Sequence, residues 1–214
     1  QHGIGRRQRQ MCIRDSANLN HRSIGVVYDV MRDDERRLGV ISMQYRSRTT
    51  LYNIITKLWG GPRPDSATAV WNEVRDMNRL AGEAPDWSQV SYADWVLDLA
   101  IELARGLAES HEYGIVHCDL KPANVLVDRE GRPILVDFNV AFRRDAAASP
   151  GNVGGTLPYM APEQIRAFAG RGYSEIGAAT DLYGLGATIY ELLTGRLPFG
   201  PVQSADDGVR ALLS

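Results

Sequence analysis

The 214-residue sequence predicts an α+β fold, with a strand hairpin near the N-terminus and a mainly helical body after it. Two runs, Ile24 to Tyr28 and Leu38 to Tyr45, flank the turn residues Asp33-Asp34-Glu35 and read as the hairpin. Two longer segments, Ser91 to Glu112 and Thr180 to Thr194, carry apolar residues at three- and four-residue spacings and read as amphipathic helices. The other strand candidates are short and fall between these helices, as expected when the longer strands and the helices are segregated.

Taken in chain order, Thr50 to Trp59 predicts a short helix, broken by the two glycines and two prolines of Gly60 to Pro64. Ser66 to Gln89 is polar with scattered Trp and is assigned to the surface. In the helix from Ser91, the residues Tyr92, Trp95, Val96, Leu99, Leu103 and Leu107 share a face, Ser91 is the N-cap and Gly114 the stop. Ile115 to His117, Val125 to Val127 and Ile134 to Val136 read as short strands, with a turn at Asp128 to Gly131. The last helix carries Leu182, Leu185, Ile189, Leu192 and Leu193 as its apolar residues, and Gly195 and Pro198 end it.

Composition narrows the function classes. Apolar residues are 44% and charged residues 23%, values of a globular chain. Lys+Arg is 24 against 26 Asp+Glu, which argues against a nucleic-acid binder. No run of about 18 apolar residues is present to span a membrane. Two cysteines, Cys12 and Cys118, make no disulfide framework, and a reduced cytoplasmic setting follows. Residues 1–16 carry four arginines and one acid without periodicity, and are set apart as a basic tail or a sequence artefact. Only two lysines occur, Lys57 and Lys121, so any chemistry that needs a lysine has two places to find it.

The chemistry concentrates between the two long helices. In His117-Cys118-Asp119-Leu120-Lys121-Pro122-Ala123-Asn124 and the later Asp137-Phe138-Asn139, three oxygen-bearing side chains, Asp119, Asn124 and Asp137, lie in a short loop or at strand ends and can converge. Asn and Asp are hard oxygen donors suited to Mg²⁺. Lys121 adds a compact positive charge beside them. A carboxylate, a lysine and metal ligands are the parts that phosphoryl transfer uses.

These residues resemble the catalytic loop H-R-D-x-K-x-x-N and the D-F-G motif of eukaryotic-type protein serine/threonine kinases, in their bacterial form. Gly155-Thr156-Leu157-Pro158-Tyr159-Met160-Ala161-Pro162-Glu163 is similar to the family's substrate loop and A-P-E segment, and Asp181 to Gly186 to its D-x-x-x-x-G helix. The four segments occur in family order, and the resemblance runs from about Asn20 to about Gly200. It implies a kinase-like fold: residues 17–46 as a partial small lobe and hinge, and 47–214 as a large lobe incomplete at its C-terminus. It implies ATP and Mg²⁺, and a protein substrate with a Ser/Thr acceptor. Asp119 would accept the acceptor's proton, Lys121 would stabilise the transferring phosphate, and Asn124 and Asp137 would hold Mg²⁺. Thr156 would line the substrate loop. Met43, as gatekeeper, with Gln44, Arg46 and Leu126, would surround adenine. His117 and Phe138 would stack beneath the metal site. Asp181 and Glu163 are assigned structural roles.

Departures from the motifs carry expectations of their own. Cys118 stands where the family's phosphate-receiving arginine would, and Ser149 is the only hydroxyl from Val140 to Gly155, so activation by loop phosphorylation is not expected. Asn139 replaces the glycine of D-F-G and tolerates the same positive φ better than most residues. No Gly-rich loop or strand lysine precedes the hairpin, so the chain reads as the middle of a kinase domain, inactive alone. The alternative from another class is a non-catalytic kinase-like binding or scaffold module. The retention of Asp119, Lys121, Asn124 and Asp137 argues against it. A small-molecule kinase of the aminoglycoside or choline type is disfavoured by the Gly155 to Glu163 segment.

Overall fold

Strand pairing near the N-terminus follows the hairpin expectation, shifted by a few residues. In the computed structural model, which describes residues 19, 21–33, 38–80, 87, 89–138, 142–143, 154–168 and 174–200, β1 (Val27–Asp33) pairs antiparallel with β2 (Leu38–Met43) from Val27↔Met43 to Asp33↔Leu38. Ile24 sits ahead of β1 and makes a parallel bridge to Leu135. The flanking backbone completes that bridge: Gly25 N–H donates to Leu135 C=O and Leu135 N–H to Ser23 C=O, each at 2.8 Å. The hairpin is thereby tied to the strand that leads into Asp137.

Helix α1 (Leu51–Leu58) starts where Thr50 accepts the Asn53 N–H while the Asn53 side chain accepts the Thr50 N–H, a reciprocal cap. The next segment corrects the sequence reading. Ser66 to Gln89 was expected to cover the surface, yet Ala67–Asn78 forms helix α2 and buries Ala67, Val70, Trp71 and Val74. Their three- and four-residue spacing is helical, but the polar residues between them obscured the stripe. Helix α3 (Tyr92–Glu112) begins at Ser91, which accepts the Asp94 N–H, and Gly114 follows it at φ 71°. All six residues expected on its inner face are buried.

The short strands after α3 pair as β3 (Ile115–Val116) with β6 (Phe142–Arg143), and β4 (Val125–Val127) with β5 (Pro133–Leu135). Helix α4 (Pro162–Phe168), unforeseen in the sequence, precedes α5 (Ala178–Thr194). One core joins Leu99, Leu103 and Leu107 of α3 to Leu51 and Ile54 of α1, Val70 and Val74 of α2, Val125 and Leu135 of the β4–β5 pair, and Leu185 and Leu192 of α5. Each such Leu or Ile contributes about 1.5–3 kcal/mol by leaving water. No helix among the described residues is long and apolar enough to cross a membrane.

The end of α5 is closed by aromatic donors. Trp59 Nε1 and the Tyr92 hydroxyl both donate to the Leu192 carbonyl, at 3.0 and 2.9 Å. These bonds satisfy a carbonyl that the helix end would leave open. Gly195 then turns the chain at φ 68°, and a Cβ there would lie 2.5 Å from the Trp59 ring. Gly195→Ala is therefore expected to cost about 2–4 kcal/mol, from left-handed strain and overpacking together. A urea titration checks this as a lower midpoint at unchanged slope.

Candidate active site

The loop 117–124 is shaped from beneath by α5. Asp181, 1% exposed, takes three hydrogen bonds: from His117 N–H (2.9 Å), from Cys118 N–H (2.9 Å), and from His111 Nε2 at 2.7 Å. Two consecutive amides pulled onto one carboxylate bend the chain, and Cys118 takes up φ 65°. A non-glycine residue in that region stores about 1–3 kcal/mol of strain, which the buried carboxylate holds in place. His117 is fully buried with both ring nitrogens engaged. Its Nδ1 accepts the Asp119 N–H (3.2 Å), so Nε2 carries the proton donated to Val136 C=O (3.0 Å).

Asp119 emerges from this bend beside Lys121, Asn124 and Thr156. Its Oδ2 accepts from Lys121 Nζ (2.7 Å) and Asn124 Nδ2 (3.1 Å), and its Oδ1 accepts from the Thr156 hydroxyl (2.8 Å). Lys121 Nζ also donates to Thr156 Oγ1 at 2.7 Å, closing a triangle. Asp119 is 8% exposed and Asn124 6%. The group thus combines a carboxylate, an ammonium and a hydroxyl at the edge of the interior.

Asn124 and Asp137 approach each other through the β4–β5 pair. Val136 N–H donates to Asn124 C=O at 2.9 Å, which sets Asp137 beside the start of β4. Asp137 is exposed, at φ 69°, and Phe138 behind it is buried with its ring centroid 4.6 Å from that of His117. Asn124 Nδ2 is spent on the carbonyl (2.8 Å) and carboxylate of Asp119, which leaves its Oδ1 as the atom for a cation. Two oxygen donors of this kind fit a Mg²⁺ that keeps water and phosphate ligands better than a full protein cage. Among the described residues no cluster of three His, Cys, Asp or Glu side chains forms such a cage.

Of the residues expected around adenine, Leu126 belongs to β4, which follows Asn124 directly, and Met43, Gln44 and Arg46 lie at and after the end of β2. Leu126 lies in β4 opposite Ile134, and its backbone bridges to Thr50 at the start of α1. Met43 ends β2, and a Cβ on Gly25 would lie 3.4 Å from Met43 Cε and 2.9 Å from Val136 Cγ1. Gln44 N–H is spent on Val26 C=O (2.9 Å), so a ligand there would meet its carbonyl. Arg46 stands exposed between β2 and α1. Asn139 and Ser149 lie outside the described residues. Glu163 accepts the Thr180 hydroxyl at 2.7 Å, and Thr180 in turn accepts Gly177 N–H at the start of α5.

Sequence reasoning missed three residues that shape the site. His111 on α3 completes the set of donors on Asp181. Gln164 reaches from α4 to the Cys118 carbonyl at 2.6 Å. Tyr159 donates to Glu191 at 2.6 Å, and burial, with the Glu191 contact next, pushes its phenol well above the usual value, so it stays a donor. Their partners lie far along the chain, and no local pattern announces them.

A family model described as the protein kinase domain matches residues 8–212. A probable serine/threonine-protein kinase of Streptomyces coelicolor is 30% identical over 204 residues, covering 91% of this chain and 25% of that protein. The serine/threonine-protein kinase PknB of Mycobacterium leprae is 29% identical over 204 residues, covering 92% of this chain and 27% of its own length. PkaA of Streptomyces coelicolor is 44% identical over 110 residues, covering 48% of this chain and 19% of its own. The chain thus spans about a quarter or less of each of these relatives. With the family match running over nearly its whole length, the chain belongs to the protein kinase family, among relatives that are serine/threonine kinases.

Proposed function

We propose that this chain is the phosphotransfer centre of a protein serine/threonine kinase, with residues 17–46 as part of the small lobe and hinge and 47–214 as the large lobe. The observation that carries the reading is the hydrogen-bonded triangle of Asp119, Lys121 and Thr156, with Asn124 bonded to the same carboxylate. In the proposed reaction the acceptor Ser or Thr hydroxyl attacks the γ-phosphorus of ATP, its proton passes to Asp119, and the bond to the β-phosphate oxygen breaks to release ADP. Lys121 stands where negative charge on the transferring group would collect. Asn124 and Asp137 would hold Mg²⁺, which supplies charge neutralisation on the phosphates. Leu126, Met43 and the backbone of Gln44 and Arg46 would receive adenine. A reaction that draws on ATP would be in keeping with a cytoplasmic setting.

The test is transfer of labelled γ-phosphate by the full-length protein to a degenerate peptide library with Ser, Thr or Tyr as sole acceptor. Labelling of Ser or Thr peptides is expected. Nucleotide binding without transfer to any acceptor would favour a binding module instead.

A regulatory expectation accompanies this reading. Cys118 is 6% exposed in an apolar group with Val116, Ala167 and Ile176, and presents no cation to a loop phosphate. Ser149→Ala is expected to leave kcat within about twofold, since a phosphate acts through a cationic receiver. A fall of about tenfold in the variant, together with a rise in wild-type kcat on phosphorylation of Ser149, would overturn it.

A further inference from the structure

The geometry points to Gln164 as a positioning residue, whose buried amide holds the loop containing Thr156 against the catalytic loop. Gln164 lies in the first turn of α4 and is 2% exposed. Its Nε2 donates to the Cys118 carbonyl (2.6 Å) and the Gly154 carbonyl (3.2 Å), and its Oε1 accepts Ala161 N–H (3.2 Å). The partners settle the amide's orientation: only nitrogen can face two carbonyls, and only oxygen can face an N–H. One side chain thereby joins the catalytic loop, the segment entering Thr156 and the segment leaving it.

The joint is close-packed. Gly155 sits inside it at φ 139°, where a Cβ would lie 2.9 Å from the Cys118 carbonyl oxygen and 3.2 Å from Gln164 Nε2. Thr156 follows directly and carries the hydroxyl that bridges Asp119 and Lys121. The placement of that hydroxyl therefore depends on where Gly154 and Gly155 are held. The joint consists of neutral hydrogen bonds, those to Cys118 and Ala161 fully buried, strong in a low-dielectric interior and independent of any phosphate. It is anchored on Cys118, the same residue that provides no cation for a loop phosphate. Gln164 supplies a permanent form of the restraint that a charge pair would supply conditionally.

The catalytic consequence rests on the phosphotransfer reading; the joint itself does not. Two variants of the full-length protein test it, Gln164→Met, close in shape, and Gln164→Glu. By hydrogen exchange, Gln164→Met is expected to lose about tenfold or more of the protection over residues 154–161, with α3 and α5 unchanged. In steady-state kinetics the KM for the acceptor peptide should rise about five- to tenfold while the KM for ATP stays within about twofold. Unfolding of a fraction of the protein would lower the apparent kcat and move neither KM. Gln164→Glu should match Met at high pH and recover acceptor KM as pH falls, because only the protonated carboxyl can donate to Cys118, and burial raises its pKa into the working range. Unchanged exchange over 154–161, or equal loss of protection in α3 and α5, would overturn the proposal. A wild type without phosphotransfer would sink the catalytic reading, and the exchange result would still decide the joint.

Discussion

Asp119→Asn is expected to lower kcat by about 10²–10⁴-fold while leaving stability within about 1 kcal/mol, because the substitution removes a proton acceptor but keeps a partner for every neighbour. In the wild type Oδ2 receives Lys121 and Asn124, and Oδ1 receives Thr156. An asparagine can turn its oxygen toward Lys121 and Asn124 and its nitrogen toward Thr156. The Thr156 hydroxyl has lone pairs for both that nitrogen and Lys121, and its proton turns to water from a half-buried side chain, so no donor is left facing a donor. The KM for ATP is expected to stay within about threefold, since Asp119 is not assigned to hold nucleotide. Thermal unfolding and steady-state kinetics on the same preparation check both halves. A kcat within tenfold of wild type would remove Asp119 from the proton-accepting role.

That centre was legible because its main parts sit close together in the chain. His117, Asp119, Lys121 and Asn124 fall within eight residues, and the turn that gathers them is local. Helix α3 was legible for a related reason: its six inward residues repeat without interruption. Helix α2 has the same spacing at Ala67, Val70, Trp71 and Val74, but its interleaved polar residues hid it. Its fold is decided by what it packs against rather than by its own composition. The remaining contacts of the site could not be read from spacing. Thr156 meets Asp119 across 37 positions, Gln164 meets Cys118 across 46, and Asp181 meets Cys118 across 63. Family resemblance supplied Thr156 and singled out Asp181 as structural; it supplied neither Gln164 nor His111. Nothing local distinguishes a glutamine on a short helix from a surface residue until the carbonyls it satisfies are known.

Asp181→Asn is expected to remove stability and activity together, the opposite pattern to Asp119→Asn. Asp181 has three donors on two oxygens, and two of them, the His117 and Cys118 amides, cannot become acceptors. However an asparagine turns, its nitrogen must face one of these amides. The result is a donor against a donor in a site where the residue is 1% exposed. An amide left unpaired there costs about 1–3 kcal/mol, and the charge-assisted bonds to the carboxylate are lost besides. A total of about 2–4 kcal/mol follows, read as a drop in Tm. The backbone at Cys118, at φ 65°, loses the restraint that holds it in a disfavoured region and relaxes. Asp119 is the next residue, so relaxation moves the proton acceptor itself. Displacement of a reacting group by about 1 Å costs roughly 10²-fold in kcat. Under conditions where the variant is still folded, kcat should therefore remain low. His111→Ala, which removes only the third donor, is expected to show a smaller loss of both. If Asp181→Asn instead destabilised the fold but kept kcat once folded, the shape of the 117–124 loop would have to be set from above, by the Gln164 joint and the Thr156 triangle, rather than by the carboxylate beneath it.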